Sequence, residues 1–123
     1  MKTKLTNAEK EIMEILWSKE KAFMKDILEQ FPTPKPATST VATLLKRMQN
    51  KKLVGYQIYG NSREYYPVIQ KKDYCKDEIT TLVGKSFGNS FAQFASFFTD
   101  NSNLTKTELE KLRELIDKKI DQL

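Results

Sequence analysis

The chain has 123 residues, with 21 Lys and Arg against 16 Asp and Glu, a formal charge of +5 and no histidine. That length suits one compact domain or two small lobes with a real core, and the basic balance suits an anionic partner. Without histidine, Ser-His-Asp and Cys-His catalysis, histidine-bearing zinc sites and imidazole switching are excluded, and the four glycines form no phosphate-binding loop.

Thr6-Asn7-Ala8-Glu9 has the form of a capping box, and Ile12, Met13, Leu16 and Trp17 after it make the apolar stripe of a first helix. Trp17 lies on that stripe and reads as a core residue. Glu9, Glu11 and Glu14 form the densest acidic set of the chain and read as a solvated helix face, not a catalytic group. A short second helix is carried by Phe23, Ile27, Leu28 and Phe31. Pro32, Pro34 and Pro36 then remove three amide donors, so residues 31–37 read as a connector.

The spacing of Val41, Leu44, Leu45 and Met48 predicts a third helix over residues 37–52, with Ser39, Ala42, Thr43, Lys46, Arg47 and Asn50 on its other face. Leu53 to Tyr59 and Arg63 to Ile69, rich in β-branched and aromatic residues, read as two strands about a tight turn at Gly60-Asn61-Ser62. The tyrosines of this hairpin, Tyr56, Tyr59, Tyr65 and Tyr66, read as cross-strand packing pairs. Three helices and a hairpin in this order make a winged helix-turn-helix, expected over residues 1–70.

Residues 71–86 predict a further helix, polar in its first turns. Five of the seven phenylalanines follow within residues 87–98, with Phe87, Phe91, Phe94 and Phe98 at i, i+4, i+7 and i+11. Asp100 to Asn103 is a polar break. Thr105-Lys106-Thr107-Glu108 offers a second capping box, and Leu109, Leu112, Leu115, Ile116, Ile120 and Leu123 continue a last amphipathic helix. So small a lobe, expected over residues 71–123, cannot hide this apolar surface within one chain, and burial against an identical lobe is expected to make a homodimer through Phe87, Phe91, Phe94, Phe98, Leu109, Leu112, Ile116 and Ile120. The fold expected overall is mainly α with a small β-hairpin: a winged helix-turn-helix followed by a helical dimerisation lobe.

Charge is unevenly spread. Residues 1–70 hold 12 Lys and Arg against 7 Asp and Glu, whereas residues 71–123 hold 9 of each. From Gln30 to Arg63 there are Lys35, Lys46, Arg47, Lys51, Lys52 and Arg63 without one acid. Such a surface collects phosphate contacts. The expected reading is a repressor of transcription that binds duplex operator DNA, with Ser39, Thr40 and Thr43 toward base edges, Lys46, Arg47 and Lys51 at phosphates or flanking bases, and Arg63 on the wing. A helical protein-interaction adaptor, or a winged-helix regulator answering to a small ligand, stands as an alternative. Neither cofactor nor metal is expected. Cys75 is the single cysteine and points to no oxidising compartment. No run approaches the roughly 18 apolar residues of a membrane span, and no signal-type segment follows the first residues, so a cytoplasmic protein without membrane insertion is expected.

The runs Ala8 to Trp17 and Thr40 to Met48, the pair Tyr65-Tyr66, and Leu109 to Ile116 together resemble the BlaI/MecI family of penicillinase repressors. The resemblance implies a homodimeric bacterial repressor with an N-terminal winged-helix DNA-binding domain and a helical C-terminal dimerisation domain, acting on palindromic operators, commonly those of β-lactam resistance genes. It also implies that Thr40, Thr43 and Arg47 face DNA, and that a membrane sensor protease relieves repression by cutting between an Asn and a Phe. Two features depart from the pattern. Ala42 stands where well-known members have arginine, with Thr38-Ser39 in place of their Pro-Lys. Residues 89–97 hold no Asn-Phe step, Gln93-Phe94 and Ser96-Phe97 being the nearest.

Overall fold

The computed structural model describes residues 4–123. Its elements in chain order are α1 (Asn7–Lys19), β1 (Ala22–Phe23), α2 (Met24–Gln30), α3 (Thr38–Asn50), β2 (Val54–Tyr59), β3 (Ser62–Pro67), α4 (Lys71–Ser86), α5 (Phe91–Asn101) and α6 (Lys106–Asp121). The chain divides into two compact units, Met1–Glu78 and Ile79–Leu123.

In the first unit α1 begins at the expected capping box: the Thr6 hydroxyl accepts from the Glu9 amide at 3.2 Å and the Glu9 carboxylate accepts from the Thr6 amide at 2.9 Å. Ile12, Met13 and Leu16 of α1 are wholly buried with Ile27 of α2 and Val41, Leu45 and Met48 of α3. Burying each such side chain stabilises the fold by about 1.5–3 kcal/mol before chain entropy is counted. The three-helix core is therefore where this unit gains its stability.

The short α2 is held at both ends. Asp26 accepts from the Phe23 amide at 3.1 Å, and at the other end the Lys35 ammonium donates to the carbonyls of Leu28, Glu29 and Phe31 at 3.1, 3.1 and 3.0 Å. The Leu28 carbonyl also accepts from the Phe31 amide at 3.3 Å, and the proline connector adds a side-chain donor for the carbonyls at this end.

The sheet is antiparallel in the order β1-β3-β2, with Tyr59 opposite Ser62 across a two-residue Gly60-Asn61 loop. Gly60 takes the positive φ of 62° that such a loop requires at its first position. Tyr56 and Tyr65 are register partners with ring centroids 5.9 Å apart, a cross-strand pair as expected. Beyond the two expected strands, β1 pairs Ala22 with Tyr65 and Phe23 with Glu64. Two residues carry no alternation, so nothing in the sequence marked this strand.

Trp17 is half-buried, its indole N–H donating to the Ile69 carbonyl at 2.9 Å and its ring 5.6 Å from that of Tyr74 on α4. Lys71 pairs with Glu14 at 3.1 Å. These contacts tie the first two turns of α4 to the first unit.

In the second unit, α5 and α6 each start at an N-cap whose hydroxyl accepts an amide: Ser90 from Gln93, and Thr105 from Glu108 within the expected capping box. Phe87 is not on the helix of the other phenylalanines. It precedes Gly88 and Asn89, both at positive φ, so the chain turns before α5 and the i, i+4 spacing from Phe87 to Phe91 spans a turn. Phe87 still reaches the cluster, its ring lying 5.5 Å from Phe94 and 5.4 Å from Phe97. Among the described residues, no helix is long and apolar enough to cross a membrane.

Candidate nucleic-acid interface

The amphipathic pattern of α3 sorts its residues. Because Val41, Leu45 and Met48 are drawn into the core, the opposite face is turned outward, and Ser39, Thr40, Thr43, Lys46 and Arg47 are all exposed. At 3.6 residues per turn, Ser39, Thr43, Lys46 and Asn50 run down the middle of that face, with Thr40 and Arg47 on one flank and Ala42 on the other. Two adjacent features prepare the start of the helix for an anion. Its N-cap, Ala37, supplies no side-chain acceptor, and its first turn carries no acid, so the positive end of the helix dipole is left uncompensated. The Thr43 hydroxyl donates to the Ser39 carbonyl at 2.9 Å, which leaves it lone pairs and a methyl group for anything outside the helix.

The end of α3 is shaped by a Schellman arrangement. The Lys52 amide donates to the Gln49 carbonyl and the Leu53 amide to the Met48 carbonyl, both at 2.9 Å, while Lys52 itself adopts a φ of 62°. This turn sends the chain directly into β2.

Glu9 overturns the reading of a solvated acidic face. It is 0% exposed and accepts from Lys51 at 2.8 Å as well as from the Thr6 amide, so one carboxylate ties the start of α1 to the end of α3. Burial pushes this carboxyl up, but the hydrogen bonds from Lys51 and Thr6 and the lysine charge together outweigh it and hold the group below its ordinary value. The available signal was spacing: Glu9 lies three and four residues before Ile12 and Met13, on the apolar stripe.

The same contact changes the standing of two cations. Lys51 serves Glu9 and Lys35 serves the end of α2, whereas Lys46, Arg47, Lys52 and Arg63 make no salt bridge among the described residues. Arg63 stands on the β2–β3 hairpin with its guanidinium 4.4 Å from the centre of the Tyr56 ring, a cation–π contact that holds it without neutralising it. Near it, Ile58 and Tyr59 are exposed at the hairpin tip. Beside α3, residues of α1, the proline connector and α3 line an open apolar cleft of about 300 Å³ that includes Phe31, Pro34 and Leu44. Among the described residues no group of His, Cys, Asp and Glu is placed to hold a metal ion.

The second unit carries the other expected surface. No residue of α5 or α6 is fully buried, and Phe91, Phe98, Leu109, Leu112, Ile116 and Ile120 are all exposed. Phe94, Phe98, Leu109, Leu112 and Ile116 line an apolar groove of about 370 Å³. Phe87 and Phe94 are half-buried.

Three packed helices followed by a hairpin, with the third helix presenting hydroxyls and cations to solvent, define a winged helix-turn-helix protein. Within that class the chain belongs to the penicillinase repressor family, whose model matches residues 5–118. It is similar to the methicillin resistance regulatory protein MecI of Staphylococcus aureus strain N315, at 25% identity over 94% of each chain. It is likewise similar to the penicillinase repressor of Staphylococcus aureus, at 24% identity over 92% of this chain and 90% of that one. A solved repressor structure, CopR, matches 55% of this chain and all of its own at 29% identity, with a TM-score of 0.47.

Proposed function

We propose that the protein represses transcription in the cytoplasm by binding duplex operator DNA as a homodimer. The observation that carries this reading is the outward face of α3, acid-free and lined by Ser39, Thr40, Thr43, Lys46 and Arg47. In this reading the N-terminal half of α3 enters the major groove, Thr40 and Thr43 meet base edges, Lys46 and Arg47 meet phosphates or flanking bases, and Arg63 reaches the backbone from the wing. Lys51 holds Glu9 and so sets the seat of α3, and Lys52 joins the cationic set in its place. The apolar face of α5 and α6 takes a second copy, whose two-fold symmetry presents two such helices to successive turns of duplex.

The test is fluorescence anisotropy on promoter fragments over a range of salt concentrations. β-Lactam resistance promoters come first, because the relatives' names point there. With Lys46, Arg47, Lys52 and Arg63 engaged on both protomers, log K is expected to fall against log salt with a slope near −7, from about −0.9 per phosphate contact. Binding that is absent even at low salt, or indifferent to Arg47→Ala, refutes the proposal.

A further inference from the structure

We propose that α3 recognises its operator chiefly through thymine methyl groups, read by Ala42 and by the γ-methyl of Thr43; this rests on the DNA-binding reading above. From Thr38 to Thr43 the exposed side chains are Thr, Ser, Thr, Ala and Thr. None is an Arg, Lys, Asn or Gln, the side chains that form the paired hydrogen bonds to guanine or adenine edges. The hydroxyl proton of Thr43, in the middle of the face, is given to the Ser39 carbonyl at 2.9 Å, so donating to a base would cost this side chain that bond. What it and Ala42 share outward is methyl surface, the Thr43 oxygen adding only acceptor lone pairs. In the major groove only thymine presents a methyl group of its own, and small apolar side chains are its complement. Short side chains also let the helix backbone approach the base edges closely, bringing those methyls into contact. Lys46 is the first exposed cation along the helix, which leaves the charge to the phosphates and flanking bases and the methyls to the centre of each half-site.

The experiment begins with selection of binding sites from a random duplex library by the full chain. Each thymine of the selected operator is then replaced in turn by deoxyuridine, which pairs identically but lacks the methyl. One or two positions per half-site are expected to lose about three- to fivefold in affinity, the effect of one methyl withdrawn from an apolar contact. In Thr43→Ser, which keeps the hydroxyl, one of those positions should become indifferent to uracil, and in Ala42→Gly a neighbouring one. Equal affinity for the thymine and uracil operators overturns this inference while leaving DNA binding intact. A library from which no sequence is enriched overturns sequence-specific binding itself and this inference with it.

Discussion

Glu9 and Lys51 differ in where each can go when its partner is lost, and that difference makes a quantitative prediction. The Lys51 side chain is 43% exposed and the Glu9 side chain 0%. In Glu9→Gln the ammonium swings into water and the amide oxygen keeps the Thr6 amide as a donor, so the expected loss is about 1 kcal/mol, one hydrogen bond's worth. In Lys51→Met the carboxylate stays buried with the Thr6 amide alone. Breaking a buried pair in this sense costs about 3–5 kcal/mol, and partial access of water past the vacated position lowers the expectation to about 2–3 kcal/mol. The double variant should resemble Glu9→Gln, giving a coupling of about 2–3 kcal/mol.

The pH dependence of stability should change sign between these proteins. In the natural chain the folded-state carboxyl sits below its ordinary value of 4.5, so its contribution is full above about that pH and is lost as pH falls through the lower folded value. Without Lys51, burial, the largest single cause, is opposed by the hydrogen bonds to Thr6 alone, so Lys51→Met is expected to raise the carboxyl and to gain stability on mild acidification. Urea unfolding followed by the fluorescence of Trp17 measures all four proteins from about pH 3.5 to about pH 7, a range that brackets the ordinary value of 4.5. Equal losses in the two single variants, or pH slopes of one sign, would refute the reasoning.

Lys52→Gly should raise stability by about 0.5–1 kcal/mol in thermal melts, since glycine adopts the positive φ at the end of α3 without a Cβ penalty. The same variant should flatten the salt slope of operator binding. Arg63→Ala should weaken all DNA sequences alike and reduce that slope by about 1 per protomer, read by anisotropy. Leu112→Asp should convert a dimer to a monomer in sedimentation while the spectroscopic signature of Trp17 is unchanged; a dimer that persists refutes the placement of the interface.

Much of this molecule was legible because its signals are local. Both capping boxes, the proline stop after Phe31, the stripe of α3 and the turn at Gly60-Asn61-Ser62 each depend on a few neighbouring residues, and each stands in the structure, with Ser62 opening β3 rather than closing the turn. What was not legible depends on partners distant in sequence. The burial of Glu9 needs Lys51, 42 residues away, and β1 exists only because β3 lies beside it. Phe87 shows a third kind of failure: helical spacing continued across a turn that Gly88 and Asn89 impose. The stretch from Gln30 to Arg63 is acid-free, but counting charges does not say which are free, and Lys35 and Lys51 serve the fold itself.

That α5 and α6 bury no residue completely would, in the homodimer proposed above, couple folding to abundance. In the proposed homodimer, a lobe finished only by its twin should melt at a temperature that climbs with concentration, and on dilution it should loosen before the three-helix core does. Operator occupancy would then respond steeply to the number of molecules in the cell, and an agent that pries the twins apart would silence the repressor without approaching α3.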